Sequence, residues 1–88
     1  MGAWVYVLRC ADGTLYTGWT NDLERRLARH QAGSASRYTA SRRPVALAWS
    51  RELDDRSAAM REEARIKRLS RAEKLDLIED LRDRASFS

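Results

Sequence analysis

Hydrophobic positions along the chain change their spacing from segment to segment. Residues 4–8, WVYVL, alternate: Trp4, Tyr6 and Leu8 fall on one side, Val5 and Val7 on the other, in β-prone residue types. Asp12-Gly13 is a turn pair, and residues 14–17 read as the return strand, so a β-hairpin is predicted to open the chain. From Asn21 the period lengthens. Asn21 can cap a helix, Glu24 stands three residues later as in a capping box, and Leu23 and Leu27 lie one turn apart on one face. Gly33 is a natural stop.

Residues 33–44 are rich in Gly, Ser, Arg and Thr and read as a loop, long enough in a small domain to suggest a function. Val45, Leu47 and Trp49 alternate again, predicting a third strand over 45–50. Asp54 or Asp55 caps a second helix to about Leu69. Ser70 and Glu73 form a capping box for a third, with Leu75, Ile78 and Leu81 on one stripe. Residues 85–88 are expected to fray. The order is ββ-α-β-α-α. It predicts an α/β (α+β) fold: a small, three-stranded, mostly antiparallel sheet with helices on one face and the other face or an edge open to a ligand.

Eighty-eight residues fit one domain, with its core over about 4–84, and a core that small leaves no room for a deep internal pocket. A composition of 43% hydrophobic and 34% charged residues is that of a folded chain rather than a disordered one. No apolar run is long enough to cross a bilayer, and the first residues carry no secretory leader pattern. Cys10 stands alone, which excludes an internal disulfide or a cysteine-based metal cluster and suggests a reducing, cytoplasmic setting without membrane attachment.

The net charge of +4 is unevenly placed. Five acids lie in the last sixteen residues, whereas residues 25–43 hold Arg25, Arg26, Arg29, Arg37, Arg42 and Arg43 and no acid. A polyanion is the natural partner for that stretch; a solvated, solubilising face is the plainer reading.

Several side chains in this frame can carry chemistry. Tyr6 and Tyr16 lie on adjacent strands, ten residues apart, and can share a face. A phenol can bond a phosphate or a water, and can act as a base if neighbouring charges lower its pKa. Arg26 and the single histidine, His30, are four residues apart on one helix face; the first suits a phosphate, the second exchanges protons near neutrality. Glu62 and Glu63 flank the apolar stripe of the second helix, so at least one sits at its edge and needs a partner, a divalent cation or a basic side chain. Periodicity does not choose between them.

With these residues placed, the chain resembles the GIY-YIG endonuclease superfamily, in particular its small, single-domain bacterial group. The match lies in W-V-Y at 4–6, Y-T-G at 16–18, T-N-D-L-E-R-R-L-A-R-H at 20–30 and D-R-S-A-A-M-R-E-E-A-R-I-K-R-L at 55–69. It covers residues 4 to about 80. The resemblance implies that Tyr6 and Tyr16 are the motif tyrosines, that Arg26 rather than Arg25 is the catalytic arginine, and that His30 occupies the tyrosine-or-histidine position one turn on. It implies Glu63 rather than Glu62 as the single metal ligand, with Mg²⁺ or Mn²⁺ supporting hydrolysis of a DNA phosphodiester.

In that reading Tyr6 orients or deprotonates the water. Tyr16 and His30 assist or hold the phosphate, and Arg26 meets the developing charge. Arg25, Arg29, Arg37, Tyr38, Arg42, Arg43 and Lys67 would contact nucleic acid, DNA before RNA, with little sequence preference. Target choice would come from a protein partner. Three departures from the family pattern bear on activity: Trp4 replaces the motif glycine and Thr17 its isoleucine, both tolerable on a strand although Trp4 can alter the approach of substrate; Trp19 stands where some relatives carry lysine, which weakens phosphate activation; and no Asn follows the glutamate helix, which removes one contact. A catalytically weak or inactive nucleic-acid-binding module working with a partner is the alternative.

Overall fold

The computed structural model describes the backbone of residues 2–86 and the side chains of residues 2–80. The elements are β1 (Ala3–Arg9), β2 (Leu15–Thr20), α1 (Leu23–Ala32), α2 (Arg37–Ala40), β3 (Ala46–Leu53), α3 (Arg56–Lys67) and α4 (Arg71–Ser86). The three strands form one antiparallel sheet in the order β2-β1-β3, so the first strand is central. The predicted α+β architecture and element order are those observed, with one short helix added.

The alternation in β1 sorts its side chains onto two cores. Ala3, Val5 and Val7 join Trp49, Ala59, Ile66 and Ile78 on one side. Tyr6, Leu8 and Cys10 join Val45 on the other, packed by Tyr16, Leu23 and Leu27. Helices therefore pack around the sheet on both faces, α3 and α4 on the first and α1 on the second, so that of the two expectations, an open face or an open edge, the open face is not found. The reason lies in β1 itself, which is apolar on both sides and must bury both.

Element boundaries shift for identifiable reasons. The return strand starts at Leu15 and runs to Thr20, because pairing with β1 continues from Arg9↔Leu15 to Trp4↔Thr20. The cap of α1 is Asp22, not Asn21: Asp22 accepts from the Arg25 backbone N–H at 3.1 Å. Thr20 Oγ1 holds Asp22 there by accepting its N–H, also at 3.1 Å, and a carboxylate suits the positive helix end better than an amide. Residues 33–44 are not all loop, since Ser36 caps the short α2 by accepting from the Tyr38 N–H.

The third strand begins at Ala46 and continues to Leu53, paired with Ala3. Asp55 caps α3 through the Ala58 N–H at 2.8 Å, and α3 ends at Lys67. The Ser70–Glu73 capping box is reciprocal, at 2.9 and 3.2 Å. On α4, Ile78 is buried, Leu75 half-buried, and Leu77 also packs on the core; the Leu81 side chain and residues 87–88 lie outside the described residues. Among the described residues no helix is long and apolar enough to cross a membrane.

Candidate functional site

The strand register brings the two tyrosines together. Tyr6 lies opposite Gly18 and Tyr16 opposite Leu8, which makes Tyr6 and Tyr16 diagonal neighbours on one face. Gly18 is required by this arrangement. A Cβ there would stand 2.6 Å from the Tyr6 hydroxyl, so the phenol lies over bare backbone. The Tyr6 side chain is fully buried.

From α1, His30 reaches down between the tyrosines. Its Nε2 is 2.9 Å from the Tyr6 hydroxyl, and its Nδ1 is 2.8 Å from Thr39 Oγ1 on α2. The ring meets Tyr6 and Tyr16 edge-on, at centroid distances of 5.6 and 5.3 Å. A histidine this deeply buried favours its neutral form. Burial, and after it the charges of Arg26 and Arg29, hold its pKa below the usual histidine range.

Tyr6 is pushed the other way, to about 12, first by burial and then by Tyr16; Arg26 pulls it down through charge and a hydrogen bond, and Glu63 raises it slightly. The electrostatics thus connect all five residues that the family resemblance singles out. Tyr6, Tyr16, Arg26 and His30 form one cluster, and Glu63 is near enough for its charge to bear on the Tyr6 phenol.

The adjacent glutamates have different surroundings. Glu62 is bracketed by Arg51 at 3.0 Å and by Arg65, and these hold its carboxyl below the usual range, the Arg65 hydrogen bond most strongly. Glu63, with 21% of its side chain exposed, has Lys67 at 3.6 Å as its one ion-pair partner among the described residues. Of the two, Glu63 is the carboxylate with capacity to spare for a cation. Among the described residues no group of three or more His, Cys, Asp and Glu side chains comes together to hold a metal.

The arginines of the acid-free stretch divide into two sets. Arg25, Arg26 and Arg29 line a pocket of about 220 Å³ with Thr20, Asn21 and Asp22, and none of the three forms an ion pair among the described residues. Arg42 and Arg43, expected to be free for phosphate, are held by the fold. Arg42 bonds Asp12 at 3.1 Å and the Tyr38 carbonyl at 2.9 Å, and Arg43 bonds the Ala40 and Gln31 carbonyls at 2.9 and 3.3 Å. Arg29 also donates to the Ser34 carbonyl. Carbonyls left over at the ends of short helices need donors, and guanidinium groups supply them.

Tyr38 stacks on Tyr16 at 5.9 Å, with Arg42 lying 3.9 Å from its ring centroid and 37% of the residue exposed. Arg37 is exposed on α2. Thr39 escaped the sequence reading: a lone threonine in a polar loop carries no periodic mark, and only the unexpected α2 turns it inward.

An antiparallel sheet with paired tyrosines beneath an arginine–histidine helix defines a class of domain that sequence comparison identifies independently. The GIY-YIG catalytic domain family matches residues 2–76. The chain is similar to a UPF0213 protein of Halobacterium salinarum, 54% identical over 80% of this chain and 91% of that one. It is also similar to one of Natronomonas pharaonis, 53% identical over 88% and 91%. The solution NMR structure of the UPF0213 protein BH0048 from Bacillus halodurans aligns with a TM-score of 0.59 at 39% identity, covering 90% of this chain and 84% of that one. The chain belongs to the GIY-YIG family, a nucleic-acid-associated family, and is homologous to UPF0213 proteins of archaea as well as bacteria.

Proposed function

We propose that this chain is a nucleic-acid-binding domain, gripping the phosphate backbone through α1, whose hydrolytic centre is weak on its own and acts with a partner that supplies the target. The observation that carries the reading is the pocket of Arg25, Arg26 and Arg29, shared with Asp22, in which none of the three arginines forms an ion pair among the described residues. Three arginines lining one hollow suit phosphate oxygens, which a guanidinium can bond in pairs. Arg37, Tyr38 and the charges of Arg42, Arg43 and Lys67 extend the basic surface. DNA is preferred to RNA in this reading, and binding depends on salt far more than on sequence.

A hydrolytic role is favoured by a second observation, the hydrogen bond between Tyr6 and His30 beside Arg26. Tyr6 would orient a water, Tyr16 and His30 would support it, and Arg26 would oppose charge growing on the phosphate. Glu63 fits Mg²⁺ or Mn²⁺ as a hard oxygen donor with one loose neighbour; such an ion would screen the phosphate, with water filling its other positions.

The same features argue for low activity. A phenol near 12 beside an imidazole held below its usual range makes proton transfer between them uphill, by about 1.4 kcal/mol for each unit of pKa separating them. Lys67 competes for Glu63, and one protein carboxylate binds a cation weakly.

The test is a panel of single-stranded, duplex, flapped and branched DNA and RNA. Binding is expected to weaken steeply as salt rises, and Arg25→Ala is expected to reduce the salt slope by about one. Slow cleavage in Mg²⁺ or Mn²⁺ that disappears in Glu63→Ala supports the hydrolytic role. A protein that ignores every nucleic acid at low salt is instead a protein-binding adaptor.

A further inference from the structure

Thr39 is completely buried, although the segment around it is polar and largely exposed. Its hydroxyl lies 2.8 Å from His30 Nδ1 and 3.4 Å from the Ser36 carbonyl. A carbonyl only accepts, so the Thr39 proton points at Ser36 and an oxygen lone pair faces the imidazole. That arrangement favours the proton on the ring nitrogen beside it. At the far end of the ring, the Tyr6 hydroxyl lies 2.9 Å from His30 Nε2. With the ring proton on Nδ1, Nε2 is an acceptor and the phenol proton turns toward it.

We infer that Thr39 is a positioning residue that holds His30 with its proton on Nδ1, leaving Nε2 to accept the proton of the Tyr6 phenol. The consequence deepens the hydrolytic role proposed above and rests on it; the tautomer itself does not. As the Tyr6 oxygen takes a proton from a bound water, the phenol's own proton passes to Nε2. The products are hydroxide, a neutral phenol and an imidazolium, and the protons balance. With the proton on Nε2 instead, the imidazole would donate to the phenol oxygen and could accept nothing from it. Because Thr39 sits on α2, this setting also depends on α2 staying docked against α1.

The chain has a single histidine, so the two ring nitrogens can be read without ambiguity by long-range ¹H–¹⁵N NMR on the free protein near neutral pH. The expected wild-type result is a protonated Nδ1 and an unprotonated Nε2. Thr39→Ser, which keeps the hydroxyl, is expected to preserve that pattern, and Thr39→Val to shift the ring toward Nε2–H or a mixture. Tyr6→Phe, which leaves Thr39 in place, is expected to retain Nδ1–H. An Nε2–H wild type overturns the inference. So does a folded Thr39→Val with unchanged ring signals. If Thr39→Val does not fold, loss of Nδ1–H in Tyr6→Phe overturns it, because Tyr6 and not Thr39 would then set the proton. No nucleic acid is present in these measurements, so failure of binding or cleavage removes the proposed function without touching this result.

Discussion

On the α3–α4 side of the sheet the buried groups are apolar, apart from Thr17, whose hydroxyl has no partner among the described residues. On the α1 side, Leu8, Cys10 and Val45 share the interior with Tyr6, His30 and Thr39, which are hydrogen-bonded to one another. Both sides hang on the same central strand, and one-residue alternation separates them. The first can be stabilised by volume alone. The second must satisfy donors and acceptors at fixed distances, so it constrains geometry more tightly than it adds stability. A domain this small can keep buried polar chemistry on one side because the other side supplies a layer that is apolar but for Thr17.

Substitutions can break that contrast in order of expected effect. Ile66→Ala, at a fully buried position on the apolar side, should cost about 2–5 kcal/mol and lower Tm by on the order of 10 °C or more, as calorimetry would report. Gly18→Ala, on the polar side, should cost about 1–3 kcal/mol because its methyl collides with the Tyr6 phenol. A crystal structure or the Tyr6 ring shifts would show the phenol displaced from His30.

Stability should also fall with acid on the polar side. His30 has a lower pKa folded than unfolded, so between the two values the unfolded chain binds more protons. Its contribution is complete above about 6.5 and is lost as pH drops through the folded value. Denaturant titrations at stepped pH should show this slope, and His30→Gln should remove it. The smallest contrast is between neighbours: Glu62→Gln should cost up to about 1 kcal/mol through its two exposed arginine partners, and Glu63→Gln only a few tenths.

The residue types and their alternation were enough to read the strands, the hairpin and the helix order, because burial of β1 on both faces writes itself into WVYVL. What covers the second face went unread there: an open face or an open edge was expected, since alternation reports which residues point together and not what covers them. The clustering of Tyr6, Tyr16, Arg26 and His30 was anticipated through family resemblance joined to helix spacing. Helical angles alone left Glu62 and Glu63 equivalent; the family resemblance pointed to Glu63, and the partners Arg51 and Arg65, contributed by β3 and the next turn of α3, distinguish the two by engaging Glu62. The roles of Arg42 and Arg43 were illegible for a related reason. Local sequence shows charge, whereas the carbonyls and the Asp12 carboxylate that engage it come from Gln31, Tyr38, Ala40 and a turn thirty residues away.

Those two clamped arginines separate attraction from adhesion. A guanidinium whose N–H groups are already engaged keeps its full positive field, which acts across a Debye length and hastens the arrival of a polyanion. It has fewer donors left with which to retain one. In the proposed function, the rate of encounter would draw on the whole basic segment, while residence time would fall mainly to the α1 arginines.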